Sequence, residues 1–132
     1  ASIGIHGFLQ SEQHRIQPDT ILISTPREML ASSYVYKRSD IYLFRNKGEL
    51  AFGLSYPDAK HRYLEVADAV SILKDRGSRS AVILVNSLPD ETIRQQLPEP
   101  SYQRQWLNIW FAFYEPLTRH EPSEQKEQLD EN

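Results

Sequence analysis

Three contiguous apolar residues, Ile21-Leu22-Ile23, run straight into Thr25-Pro26-Arg27-Glu28. A contiguous, mostly β-branched run reads as a strand covered on both faces. Thr25 then offers a helix cap, Pro26 suits the first helical position, and Glu28 can close a capping box, which predicts a helix from Pro26 to about Lys37. A strand buried on both sides needs a layer on each side, so this junction already demands an α/β arrangement.

The rest of the chain continues the alternation. Asp40 to Arg45 reads as a second strand, and a parallel pairing with the first makes a βαβ unit. Asn46-Lys47-Gly48 reads as a turn, with Leu50 to Leu54 returning as the antiparallel arm of a hairpin. Between Glu65 and Arg76, the residues Val66, Ala69, Val70 and Leu73 recur at helical spacing, and Gly77 stands where a C-terminal cap belongs. Ala81 to Val85 is a short apolar strand, and Ser87-Leu88-Pro89-Asp90 starts a short helix that stops before Pro98. Gln103 to Tyr114 reads as one last strand, with Leu107, Ile109, Phe111 and Phe113 on one face and Trp106, Asn108, Trp110, Ala112 and Tyr114 on the other. The expected fold is a small layered α/β domain. Its sheet is mostly parallel with an antiparallel edge hairpin, and helices cover both faces.

Residues 1–18 read as an N-terminal linker or amphipathic helix, 19–116 as the α/β domain, and 117–132 as a disordered acidic tail. Of 18 acidic and 15 basic residues, five and two fall in 117–132, which leaves 13 of each in a neutral body. Interspersed, balanced charge argues against nucleic acid as a partner. The longest apolar run, Ile109 to Tyr114, has six residues, against about 20 for a membrane helix. Ala1 to Gln10 has no basic segment of the kind that opens a signal peptide.

No catalytic constellation stands out. The glycines form no phosphate loop, no serine sits in a nucleophile elbow, and cysteine is absent. His6, His14, His61 and His120 lack ligand spacing, so neither a metal nor a cofactor is expected. The start of the Pro26 helix could receive an anion, but ordinary capping explains it. Arg27, Arg38, Arg45, Lys47, Lys60 and Arg62 read as solvated charge balanced by Glu28, Asp40, Glu49 and Asp58. Trp106, Trp110 and Tyr114 could stack on sugar rings, but their spacing fits core packing better.

The segment from Phe44 to Arg62 is distinctive. Its pattern G-E-L-x-x-G-L-x-Y-P-D-A-K-x-R, from Gly48 and Glu49 through Gly53, Tyr56, Pro57, Asp58 and Lys60 to Arg62, resembles the C-terminal region of bacterial lipid A aminoarabinose transferases. The likeness extends more loosely from about Phe8 to Pro116. It implies the periplasmic domain of an inner-membrane glycosyltransferase. Such enzymes move 4-amino-4-deoxy-L-arabinose from undecaprenyl phosphate to lipid A, and the added amine gives resistance to polymyxin and other cationic peptides. The family's catalytic groups lie in its membrane portion, so no catalytic residue is carried over and the fragment alone is expected to be inactive. The membrane domain of the same polypeptide is the implied partner, with the carrier-linked sugar and lipid A as further ones. Ala1 in place of a start Met fits a domain cut from a longer protein.

Within the motif, Gly48 makes the turn, Gly53 permits a close backbone approach, and Tyr56 and Pro57 stiffen a loop. Asp58, Lys60 and Arg62 either face substrate or the membrane domain, or serve only as a cap and solvated charge. Two other functions stand beside the transferase reading: a free-standing module for a small anionic ligand, and a pure interaction domain.

Overall fold

A computed structural model of the chain describes residues 4–44, 63–86 and 95–118. Its elements are α1 (Ile5–Ser11), a short 3-10 turn (Gln13–Arg15), β1 (Ile21–Ser24), α2 (Pro26–Tyr36), β2 (Tyr42–Phe44), β3 (Tyr63–Leu64), α3 (Val66–Lys74), β4 (Ala81–Asn86), β5 (Tyr102–Trp106) and β6 (Ile109–Tyr114). The six strands form one sheet in the order β3-β2-β1-β4-β6-β5. The β3–β2, β2–β1 and β1–β4 pairs are parallel, while β4–β6 and β6–β5 are antiparallel.

The period of two along the central strands feeds two cores. Ile21, Ile23, Ala81, Ile83, Val85, Trp110, Ala112 and Tyr114 face α3, where Ala69 and Leu73 are buried. Leu22, Val82, Leu84, Ile109 and Phe111 face Phe8 and Leu9 of α1 and Val35 of α2. Helices therefore lie on both faces, as the contiguous apolar runs require. Phe8 and Leu9 are fully buried, so α1 is itself part of one layer.

Local chemistry sets the helix ends. Lys37, at φ 54°, stops α2 in the left-handed region. A reciprocal Glu65–Asp68 capping box opens α3, and Gly77 takes φ 60° in the turn beyond it. Gln95 and Gln96 are helical and the chain leaves that geometry before Pro98, while residues 87–94 are outside the described part.

Three expectations change. Among the described residues, the hairpin of this sheet is β5–β6. Both sides of β2 are taken, by β1 and β3, and the expected turn at Asn46–Gly48 and arm at Leu50–Leu54 lie outside the described residues. The expected single strand from Gln103 to Tyr114 folds back on itself: Trp106 pairs with Ile109 across a two-residue turn of Leu107 and Asn108. Leu107 holds φ 51° there, and a positive φ at the first turn position is the type II′ pattern. The reversal sends Trp106 to the α1 side, stacked on Phe8 at 5.3 Å, away from the face of Trp110 and Tyr114.

Candidate functional site

In an open α/β sheet, ligands favour the carboxyl edge of the strands where strand order reverses. Here that point lies between β1 and β4, because α2 follows β1 on one face and α3 precedes β4 on the other. Ser24, Thr25 and Asn86 end these strands, and Glu28 approaches from the first turn of α2. Glu28 is only 2% exposed, and Thr25 and Ser24 are also buried.

Hydrogen bonds tie these groups together. Thr25 Oγ1 donates to Glu28 Oε1 and accepts from the Asn86 backbone N–H at 3.0 Å. Asn86 Nδ2 donates to Glu28 Oε2 at 2.6 Å, and the Thr25 N–H reaches the Leu84 carbonyl at 2.9 Å. Thr25 is the N-cap of α2, as expected, but its side chain makes no capping bond. Its hydroxyl spans the gap between strands instead. Because that hydroxyl is engaged as both donor and acceptor, it is not poised as a nucleophile. The acid in the first turn suits the positive end of the helix, and an anion entering there would meet a buried carboxylate of the chain itself.

The expected site residues Gly48, Glu49, Gly53, Tyr56, Pro57, Asp58, Lys60 and Arg62 all lie outside the described part. Phe44, the last described residue before them, ends β2 at the same carboxyl edge, since Leu43 is in register with Ser24 and Ser24 with Leu84.

A second polar cluster was not anticipated from sequence. Glu12, 2% exposed, follows α1. Its Oε1 meets Arg15 Nε at 2.9 Å, and its Oε2 accepts from Arg104 Nη1 at 3.0 Å and Tyr102 Oη at 2.7 Å. Burial pushes the Glu12 carboxyl up, but the bonds from Tyr102, Arg104 and Arg15 together outweigh it and hold the group below its usual range. Burial and the bond to Glu12 push Tyr102 up. Arg15 also stacks on the Tyr102 ring at 3.5 Å. The cluster fastens the N-terminal helix to the edge hairpin. The sequence offered only the three-residue spacing of Glu12 and Arg15 as a hint, because the other partners lie about 90 residues away.

Elsewhere, Arg38 holds Asp40 through two bonds of 2.7 and 2.9 Å and so depresses the Asp40 carboxyl. Trp110 is 3% exposed and its indole N–H donates to Gln103, which makes it core and not a sugar platform. His6 and His14 are exposed. Among the described residues, no three His, Asp or Glu side chains gather closely enough to hold a metal ion. None of the described helices is long and apolar enough to cross a membrane.

Together these features define a small doubly wound α/β domain whose described strand-end polar groups hold the backbone rather than stand open. Residues 6–113 match the profile of the family described as "Arabinosyl transferase ArnT, C-terminal domain", and the chain belongs to that family. It is 32% identical over 113 residues, 85% of its length, to the undecaprenyl phosphate-alpha-4-amino-4-deoxy-L-arabinose arabinosyl transferase of Shewanella sediminis, covering 20% of that protein. To the protein of the same name from Erwinia tasmaniensis it is 40% identical over 66% of the chain and 17% of the relative. To that of Aeromonas salmonicida it is 43% identical over 65% of the chain and 18% of the relative. The chain thus spans about one fifth of the length of these curated relatives. No solved structure matches it.

Proposed function

We propose that this chain is the non-catalytic periplasmic domain of an inner-membrane glycosyltransferase. The whole protein moves 4-amino-4-deoxy-L-arabinose from undecaprenyl phosphate to lipid A and so gives resistance to polymyxin and other cationic antimicrobial peptides. The observation that carries this reading is the family match over residues 6–113, joined by relatives named for the aminoarabinose transfer. The membrane-embedded remainder of the same polypeptide is the partner, and the domain works without a cofactor or metal of its own.

Within this reading, the Tyr56–Arg62 segment faces the substrate or the remainder of the protein. Its support is the resemblance that this segment carries, together with the position of Phe44, the last described residue before it, on the edge where such folds present functional groups. The test is transfer by the full-length protein and by this chain, each purified and given carrier-linked aminoarabinose and lipid A. Product is expected from the full-length protein alone, and turnover by the chain itself would overturn the non-catalytic assignment. Lys60→Ala with Arg62→Ala in the full-length protein is expected to lower lipid A modification while the isolated domain melts unchanged. Full modification at normal protein levels would remove the segment from the site.

A further inference from the structure

The opposite end of the sheet carries a recess of about 260 Å³. Ser71, Asp75, Arg76 and Arg79 line it beside Ile21 and Tyr42, the first residues of β1 and β2. It therefore lies at the amino edge of the parallel strands, away from Ser24, Asn86 and Phe44, on the face that α3 covers. Arg76 Nε donates to the Glu115 carbonyl at 2.8 Å and its Nη1 to the Leu73 carbonyl at 2.7 Å, while Arg79 Nε donates to the Asp19 carbonyl at 2.7 Å. These acceptors are neutral, so they orient both guanidinium groups without cancelling their charge. Each guanidinium has five N–H donors, more than these bonds use. Burial lowers the Arg76 guanidinium from its ordinary value, and an anion beside it would reverse that. The field of Arg79 also reaches Asp40, but that carboxylate is bound by Arg38. The lining carries the opposite sign as well. Asp75 is the C-cap residue of α3, at the end where the helix dipole also favours a cation.

We propose that this recess holds a small ligand carrying a phosphate and a primary ammonium group a few bonds apart, with Arg76 and Arg79 on the phosphate and Asp75 on the ammonium. Planar guanidinium forks match phosphate oxygens, and a carboxylate accepts from an ammonium group. The lining holds two positive side chains and one negative one, and a phosphate with one ammonium group mirrors that set. A bare phosphate is the poorer fit, because Asp75 and the end of α3 repel it. A bare amine would meet two arginines. Ser71 and Tyr42 add hydroxyls able to donate to the phosphate or accept from the ammonium. The recess is smaller than the roughly 300–1,000 Å³ of pockets for drug-sized ligands, which suits a group of this size. The same chemistry occurs in a free phosphorylated amine and in the headgroup of an aminophospholipid. The proposal stands without the transferase reading, since it uses only the recess of this chain.

The test is calorimetric titration of the 132-residue chain with O-phosphoethanolamine, inorganic phosphate and ethanolamine. Phosphoethanolamine should bind most tightly. Arg79→Gln should weaken both it and phosphate by on the order of tenfold, the loss of one charge-assisted bond. Asp75→Asn should erase the preference for phosphoethanolamine and leave phosphate bound at least as well. Lys37→Gln, on the other helical layer, should change neither. A melting curve checks that each variant folds, and the comparison of the three ligands needs no variant. Vesicles then distinguish the source. Capture by phosphatidylethanolamine vesicles but not by phosphatidylcholine ones, whose quaternary amine cannot donate, marks a lipid headgroup, and binding of the soluble compound alone marks a free ligand. No binding of phosphoethanolamine, equal affinity for phosphate, or a preference that survives Asp75→Asn would each overturn the proposal. Loss of lipid A transfer in the full-length protein would leave these titrations unchanged, so the two readings fail separately.

Discussion

Glu12 and Glu28 lie in the same helical layer and are each 2% exposed, yet the chain holds them by different means. Glu12 is bracketed by two guanidinium groups and a phenol, drawn from the 3-10 turn and from β5. Around Glu28, the described donors are the Thr25 hydroxyl and the Asn86 amide, at the ends of β1 and β4. A carboxylate among cations depends on its charge, whereas the described bonds to Glu28, from neutral donors, depend first on shape and on hydrogen-bond direction. The first cluster fastens the start of the chain to the antiparallel edge. The second fastens the parallel strands at the point where the sheet reverses order.

The largest effect is expected at Glu12. Glu12→Ala should destabilise the chain by about 3 kcal/mol, the low end for breaking a buried pair, because Arg15 and Arg104 can partly rehydrate. Chemical denaturation measures it, and a loss under 1 kcal/mol would mean that the bracket is only a surface feature.

Glu28→Ala should cost about 2 kcal/mol, since it strips partners from a buried hydroxyl and an amide. The contrast sharpens with the isosteric changes. Glu28→Gln is expected to keep most of the stability, with the Asn86 amide turning over to accept, while Glu12→Gln should lose more because its partners are cations. Equal losses would erase the distinction.

Acid sharpens it further. Glu12 has a folded value below the ordinary 4.5, so its contribution is complete above about pH 4.5 and is lost as pH falls through the lower folded value. The stability difference between the parent and Glu12→Gln should therefore be constant at neutral pH and shrink in acid. A difference that grew in acid would contradict the depressed value.

Thr25→Ala should cost about 1–2 kcal/mol, because the Asn86 N–H and the Glu28 carboxylate both lose a partner. Thr25→Ser should restore most of it. Were Thr25 a cap alone, Asn would do as well as Ser; the bridging geometry predicts that it will not.

The smallest change concerns the hairpin that carries Tyr102 and Arg104. Leu107 is 73% exposed at φ 51°, so Leu107→Gly loses no packing and should stabilise the chain by up to about 1 kcal/mol. A lower midpoint in a thermal melt would show that the Leu107 side chain contributes at the turn.

The elements that local chemistry dictates were legible in sequence. Ile21-Leu22-Ile23 gave β1, Pro26 opened α2, and the spacing of Val66, Ala69, Val70 and Leu73 gave α3. The faces of residues 109–114 also followed from alternation alone. The family resemblance rested on Gly48 through Arg62, and the match over residues 6–113 supports it, although the site residues of that segment lie outside the described part. The two-residue strand β3 and the turn at Leu107 left little trace, because neither carries a glycine, a proline or a long apolar run.

The sequence by itself determined that this is an α/β domain with a strand buried on both faces, because hydrophobic period and helix-start chemistry act over a few residues. Only the tertiary structure decided which edge carries the hairpin, that Trp106 turns toward α1, and that Glu12 and Glu28 are interior groups with separate partners. The cross-chain carboxylate contacts span 58 to 92 positions, and the stack of Trp106 on Phe8 spans 98. Such partners meet only after the strands have paired, and a buried carboxylate is stable only once they do.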